Sequence, residues 1–470
     1  MNLDKFFNPK SVAVIGASRT PGKIGYTILE NLKMSFKGNL YPINPNTGEI
    51  LGLMTYSSVL DVENPIELAV IAVPAEMVKS VLSECIKKKI GHIVVISSGF
   101  SEIGEKEREL ELMKIKKDAF RVIGPNCMGI YKKDLDMIFL PRNRLKRPVD
   151  GSISFITQSG AFGSILLDIM ANDGVGVSKF ISIGNKMDVD EIELIKYLEN
   201  DLSTRCIAVY LESVRNGEEF IKVAKKVSKS KPIVAFKAGK TDKGNEAVVS
   251  HTGSLAGSSA IYSAAFKQAG VIEAKTSEEI FDFAKVLANQ PILKNNKIAI
   301  VTDGGGFGIV AADTAVQLGL EVPNLSDGSL KVLKGFLPKY ASMKNPIDLT
   351  GDATVERYQK TMEVVLKDNN ISGVACIALM QLPTLSDDIV DAIRDCKVFG
   401  KPITVCSAGS QYVLERNRKL ESFGIPVYPT PERAVKALYA LYEYGNILKA
   451  EHIEKPEEKI VEKKSKMKKK

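Results

Sequence analysis

Val12-Ala13-Val14-Ile15-Gly16-Ala17-Ser18 runs from a short apolar stretch straight into a glycine turn. The same pattern returns twice. Ile153-Ser154-Phe155-Ile156-Thr157-Gln158-Ser159-Gly160 is the second case and Ile298-Ala299-Ile300-Val301-Thr302-Asp303-Gly304-Gly305-Gly306 the third. A strand that turns sharply on glycine into a helix is the opening of a βαβ unit, and short apolar strands alternate with helical stretches along the whole chain. The expected fold class is therefore α/β with parallel sheets, in three doubly wound domains over 1–140, 148–290 and 296–450. Two linkers separate them: the Pro- and Arg-rich stretch from Leu140 to Pro148, and Asn289 to Lys297 around Pro291.

Length agrees with three domains, since 470 residues are too many for one ordinary core. Hydrophobic content of 44% and charged content of 26% are those of a soluble globular protein. No apolar run approaches the roughly 20 residues that cross a bilayer, and Met1-Asn2-Leu3-Asp4-Lys5 lacks a secretory pattern, so a cytoplasmic protein without a membrane partner is expected. The six cysteines form no CxxC pair, which argues against a zinc site and a disulfide framework. Of the net charge of +8, the tail 451–470 supplies +3, with eight lysines against five glutamates. The remaining +5 is spread over 450 residues with no Trp and no basic segment interleaved with aromatics, so no nucleic-acid partner is expected. The tail itself reads as solvated and disordered.

In the first domain Gly16-Ala17-Ser18-Arg19-Thr20-Pro21-Gly22-Lys23 follows a strand and opens a helix, where backbone amides can face a phosphate. A nicotinamide dinucleotide calls for an acid at the end of the second strand, and that strand reads Asn39-Leu40-Tyr41-Pro42-Ile43-Asn44. With Asn44 in that place NAD is disfavoured, while Arg19 and Lys23 suit a ligand richer in phosphate, such as coenzyme A. The turn equally fits a purely structural need for tight strand–helix packing, and the sequence leaves both readings open. Val73-Pro74-Ala75, Ser97-Ser98-Gly99 and Gly124-Pro125-Asn126-Cys127 end later strands of the same domain, on the edge where open α/β sheets bind ligands. Cys127 falls where a thioester could lie, but without a partner base it is not read as a nucleophile.

The chain has three histidines, His92, His251 and His452, and only His251 stands among small residues, in Ser250-His251-Thr252-Gly253-Ser254-Leu255-Ala256-Gly257. An imidazole so flanked is open to a phosphoryl donor. Glu212, at the end of the apolar strand Val209-Tyr210-Leu211, can hydrogen-bond one ring nitrogen and leave the other free to attack. Ser159 and Gly160 offer helix N-terminal amides to a phosphate, and Gly304 and Gly305 do so in the third domain. Asp348 and Asp352 lie in a turn-rich stretch and read more naturally as turn residues than as ligands.

Taken together and in order, GASRTPGKIG, YPINP, GPNCMG, TQSGAFG, YLES and SHTGSLAG resemble the α subunit of the ADP-forming acetyl-CoA synthetases, relatives of succinyl-CoA synthetase. The resemblance covers about residues 1–450. It implies a Rossmann-like CoA-binding domain followed by two flavodoxin-like ligase domains, and the reaction acyl-CoA + ADP + phosphate ⇌ carboxylic acid + ATP + CoA through an acyl phosphate and a phosphohistidine. By the same resemblance His251 is that phosphohistidine and Glu212 its orienting carboxylate. Gly16, Ser18, Lys23, Asn44, Ser97 and Asn126 correspond to CoA-binding segments, and Val73, Pro74 and Cys127 join them as CoA-binding candidates from their places at strand ends. It further implies a separate ATP-grasp β subunit, an α2β2 heterotetramer, and ADP or ATP with Mg²⁺ held mainly on that partner. Two alternatives stand beside it: a noncatalytic CoA-binding regulatory or scaffold protein of the same fold, and an NAD-dependent enzyme.

Overall fold

The computed structural model describes the backbone of residues 2–116, 119–252 and 259–467, and the side chains of these except 249–252 and 451–467. The chain divides into two compact units, Met1–Asn172 with Gly176–Ser277, and Asp173–Val175 with Glu278–Lys470.

In the first unit β1 (Ser11–Ile15), β2 (Asn39–Ile43), β5 (Leu68–Ile71), β6 (His92–Val95) and β7 (Arg121–Ile123) form a parallel sheet in the order β2-β1-β5-β6-β7. Between β2 and β5 lies a small antiparallel pair, β3 (Glu49–Ile50) and β4 (Leu53–Met54). Helices α1 (Ile24–Ser35), α2 (Ala75–Lys87) and α3 (Lys106–Lys116) connect the strands. The chain leaves β1 to one side for β2 and returns to the other for β5, so the strand order reverses beside β1. Ligands of open α/β sheets bind at such a reversal, outside the carboxyl ends of the strands.

The second sheet of this unit runs β14-β13-β12-β10-β11-β8-β9. Its parallel part is β10 (Asp150–Thr157), β11 (Val177–Ser182), β12 (Cys206–Leu211), β13 (Ile233–Lys237) and β14 (Ile272–Ala274), linked by α4 (Gly160–Asp173), α5 (Glu191–Glu199), α6 (Gly217–Val227), α7 (Asp242–Thr252) and α8 (Ser259–Ala269). All six residues of β12 are buried, as expected of a strand covered on both faces. The antiparallel hairpin of β8 (Ile130–Lys132) and β9 (Leu135–Asp136) comes from the stretch that the sequence reading placed in the first domain, yet it pairs with β11. Strands of three and two residues carry too little periodicity to declare their sheet.

In the second unit β15 (Ile298–Thr302), β16 (Ile347–Asp348), β17 (Gly373–Ile377), β18 (Ile403–Cys406) and β19 (Val427–Tyr428) form the parallel sheet β16-β15-β17-β18-β19. Around it lie α9 (Ser277–Asn289), α10 (Gly305–Gln317), α11 (Asp327–Lys334), α12 (Val355–Lys367), α13 (Asp388–Asp395), α14 (Gln411–Ser422) and α15 (Pro431–Met467). Helix α15 continues to Met467, through much of the segment whose composition suggested a disordered tail. The architecture is the expected α/β one, with three mainly parallel sheets. Among the described residues no helix is long and apolar enough to cross a membrane.

Candidate functional site

The turn after β1 needs its glycines for packing. Gly16 has φ +88°, and a Cβ there would come within 2.5 Å of the Ala72 carbonyl oxygen. A Cβ at Gly25 would come within 1.9 Å of the Gly16 carbonyl oxygen, so α1 and β1 approach as closely as glycine permits. Asn44 fixes this turn: its Nδ2 donates to the Ala17 carbonyl at 2.7 Å and its Oδ1 accepts from the Asn46 N–H at 2.8 Å. Asn44 is thus committed to the backbone on the strand where a dinucleotide enzyme would present an acid. Ser18 Oγ accepts from the Thr20 N–H at 3.1 Å, and Lys23, exposed, precedes α1 without a side-chain cap.

The other strand ends of this sheet meet the second sheet across one cleft of about 610 Å³. Val73, Pro74, Ser97, Asn126 and Cys127 line one side, and Gln158, Ser159 and Gly160 the other. Gly16, Ser18, Lys23 and Asn44 lie outside this lining, although Ile24, the first residue of α1, belongs to it. Asn126 adopts the left-handed conformation at φ +56°, which asparagine tolerates. Its N–H donates to the Ser97 carbonyl at 2.9 Å, and its Nδ2 to Asn185 Oδ1 at 3.2 Å. Cys127 Sγ donates to the Val95 carbonyl, and burial pushes its thiol up to about 12, so it lines the cleft as a neutral group.

Behind the cleft lies a polar network that the sequence did not announce. Gln158 Oε1 accepts from the Glu212 N–H at 2.7 Å and the Ser213 N–H at 3.0 Å, while its Nε2 donates to the Ser213 carbonyl at 2.8 Å. One amide thereby fastens the end of β10 to the end of β12, where the sheet order again reverses. Lys186, buried, donates to Glu191 at 3.0 Å and to the Ser213 carbonyl at 2.6 Å. Burial pushes the Lys186 ammonium down and the Glu191 carboxyl up, each opposed by the charge of the other. The neighbouring Asn185 donates to Glu102 at 2.6 Å and to Glu109 at 2.7 Å, so residues 185–186 join the segments that carry the first sheet to those that carry the second. Glu212 is buried, with 5% exposure. His251 falls in the last turn of α7; its side chain lies outside the described residues, as do residues 253–258 of the small-residue run.

The third glycine turn has different surroundings. A Cβ at Gly305 would come within 2.7 Å of Asp348 Oδ2, so a carboxylate of the chain itself lies against the start of α10. Asp303, buried beside it, accepts from the Leu379 N–H at 3.1 and 3.0 Å. Its pKa rises to about 6, first through burial, with the Asp348 charge adding and the Leu379 and Tyr358 hydrogen bonds opposing. Two acids at this turn oppose a phosphate there, which weighs against the phosphate-binding expectation for Gly304 and Gly305. Asp352, exposed, pairs with Arg357 at 2.9 Å and accepts from Thr350 and Tyr340, which makes it a turn residue, as the sequence suggested. Among the described residues no cluster of three or more His, Cys, Asp or Glu side chains is set to hold a metal ion.

Three family models match the chain in tandem: a CoA binding domain over residues 10–133, a succinyl-CoA ligase like flavodoxin domain over 150–287 and a ligase-CoA domain over 298–451. The acetate–CoA ligase [ADP-forming] I subunit alpha of Pyrococcus furiosus is 41% identical over 97% of this chain and 100% of that relative. The acetate–CoA ligase [ADP-forming] of Methanocaldococcus jannaschii is 42% identical over 93% of this chain, which spans 62% of that longer relative. Among solved structures, the dinucleotide forming acetyl-coenzyme A synthetase 1 of Ca. Korarchaeum cryptofilum, in complex with phosphate and ADP, matches with a TM-score of 0.89 and 39% identity, covering 95% of this chain and 98% of that one.

Proposed function

The chain belongs to the family of ADP-forming acetate–CoA ligases, and on that premise we propose that it carries the acyl-transfer half of the reaction through a phosphohistidine at His251. The observation that carries this reading is the cleft. It sets the strand ends of a CoA-binding sheet, at Ser97, Asn126 and Cys127, opposite the N-terminus of α4 at Ser159 and Gly160. A thioester entering along the first wall would present its carbonyl to the second, where backbone amides and the helix dipole favour negative charge.

In this reading inorganic phosphate attacks the thioester carbonyl, the C–S bond breaks, CoA leaves as its thiol, and an acyl phosphate of a small carboxylic acid remains. The imidazole of His251 then attacks phosphorus: a P–N bond forms, the P–O bond to the acyl group breaks, and the carboxylate departs. Glu212 orients the ring, and Gln158 holds the backbone that carries Glu212. Gly16, Ser18, Lys23 and Asn44 shape the turn that receives the phosphate-rich end of CoA, with Asn44 acting through the Ala17 carbonyl. ADP takes the phosphoryl group on a separate ATP-grasp subunit, which also holds Mg²⁺, in an α2β2 assembly. ADP, phosphate and CoA meet in the cytoplasm, which is where this reading places the chain.

The test is co-expression with candidate ATP-grasp subunits, followed by assay of ADP- and phosphate-dependent CoA release from a panel of acyl thioesters. With an active pair, ³²P from γ-labelled ATP should enter this chain, and His251→Ala should abolish the label while CoA still stabilises the variant against heat. Label persisting in His251→Ala removes that residue from the mechanism.

A further inference from the structure

Five lysines are buried among the described residues: Lys116, Lys179, Lys186, Lys237 and Lys285. Four sit against a carboxylate. Lys116 pairs with Asp188 at 3.1 Å, Lys179 with Asp201 at 2.6 Å, Lys186 with Glu191 at 3.0 Å and Lys285 with Glu421 at 2.8 Å. Lys237 departs from this rule. At 1% exposure its ammonium donates to the Ala238 carbonyl and lies 4.8 Å from the centre of the Tyr262 ring, and no carboxylate pairs with it among the described residues. An ammonium carries three donors and a full charge, and one carbonyl with a ring face satisfies only part of it. Burial pushes its pKa down, with the charge of Glu212 opposing and that of Lys240 adding.

The position of this cation gives it a purpose. Lys237 ends β13 and is in register with Leu211, so it adjoins the strand end that continues into Glu212. The Tyr262 hydroxyl beneath it accepts from the Val214 N–H at 3.1 Å, which ties the same ring to the segment after Glu212. From β13 the chain runs on into α7, whose last turn contains His251. β13, β12 and β10 are neighbours in the sheet, so Lys237, Glu212 and the Ser159–Gly160 turn stand at the carboxyl ends of adjacent strands, and the Glu212 charge acts on Lys237.

We propose that Lys237 is a phosphoryl-binding residue, whose ammonium receives the oxygens of a phosphoryl group handled beside Glu212. The inference rests on the phosphohistidine reading above and adds the charge that reading lacks. A phosphoryl group brought next to Glu212 adds negative charge to a buried carboxylate, and the α4 N-terminus supplies only about half a unit of positive charge. Lys237 supplies a whole one. During transfer from the acyl oxygen to the imidazole nitrogen it neither gains nor loses a proton; it holds the phosphoryl oxygens while the P–O bond breaks and the P–N bond forms.

Lys237→Met tests this, because it keeps the stem and removes an uncompensated charge, so the fold is expected to melt at or above the wild-type temperature in phosphate-free buffer. Inorganic phosphate should raise the Tm of the wild-type chain and leave that of Lys237→Met unmoved. With the ATP-grasp partner, ³²P labelling should slow about 10²-fold or more, and KM for phosphate should rise while CoA still binds. Lys237→Arg should recover part of both responses. Should Lys237→Met fold poorly, Lys237→Gln gives the same readout. Wild-type labelling and a wild-type phosphate response in the uncharged variants overturn the inference. If the wild-type chain takes no label while phosphate stabilises it and not Lys237→Met, the phosphohistidine reading fails and the anion site at Lys237 stands.

Discussion

Two strand-to-helix turns in this protein share one scaffold and differ in the side chains set against it. At the first, Thr157 Oγ1 donates to the Ser159 carbonyl at 2.7 Å and accepts from the Ser159 N–H at 3.1 Å. At the second, Thr302 Oγ1 makes the same pair of bonds with Gly304, both at 3.0 Å. The next residue in each reaches across the reversal of strand order to the neighbouring strand: Gln158 to the N–H groups after β12, Asp303 to the N–H after β17. There the likeness ends. The first turn opens onto the cleft with a neutral amide behind it, whereas the second has Asp348 against its helix start and a buried acid at Asp303. A repeated backbone unit is therefore no evidence of a repeated site. Whether its amides serve a ligand depends on what the next strand brings to them.

Substitutions at the two turns should separate them by measurable amounts. The largest effect is expected from Gly160→Asp, which sets a carboxylate at the start of α4 as Asp348 lies against the start of α10. A Cβ at Gly160 meets nothing nearer than the Met128 Cβ at 3.5 Å, so the residue fits, and an acid in the first turn of a helix is if anything stabilising, by about 0.3–1 kcal/mol. Activity with phosphate should nonetheless fall by about 10²–10³-fold in kcat/KM, at a Tm no lower than that of the wild type. Retained activity would show that the α4 N-terminus does not meet the oxyanion.

Next in size is the pH response of Asp303. Its folded pKa of about 6 exceeds the ordinary aspartate value, so the fold favours its protonated form. That stability is complete below about pH 4 and lost as pH rises through about 6, a change of about 3 kcal/mol. Asp303→Asn should flatten this slope in denaturant titrations between pH 4 and 7, and an unaltered slope would place the titration elsewhere. Thr157→Val and Thr302→Val should have the smallest effects, about 1–3 kcal/mol each and similar in both turns, since each strands the same N–H. Unequal losses of Tm would mean that the scaffolds are not equivalent.

Much of this was readable in advance. The apolar runs at Val12, Ile153 and Ile298 are strands, each turning on the glycines that mark it, because strand period and turn chemistry are local. The ends at Val73, Pro74, Ser97, Asn126, Cys127, Ser159 and Gly160 converge on one cleft because parallel sheets bring all their carboxyl ends to one edge. What stayed hidden is long-range pairing. Nothing near Gly305 foretells Asp348 beside it, and nothing near Lys237 tells that, among the described residues, it is the buried lysine with no carboxylate paired to it. Gln158 looked like one polar residue in a turn, and its role appears only when Glu212 and Ser213 arrive from the next strand.

The hairpin of β8 and β9 has a practical consequence for anyone dissecting the molecule. Residues 130–136 follow the first sheet in sequence but complete the second, and the CoA-binding family match stops at 133, inside the hairpin. A fragment started at 148 would leave the outer side of β11 as a bare edge, with its N–H and C=O groups free to recruit another chain. Severing the polypeptide ahead of Ile130 instead keeps that rim covered and offers the better route to a piece that stays monomeric.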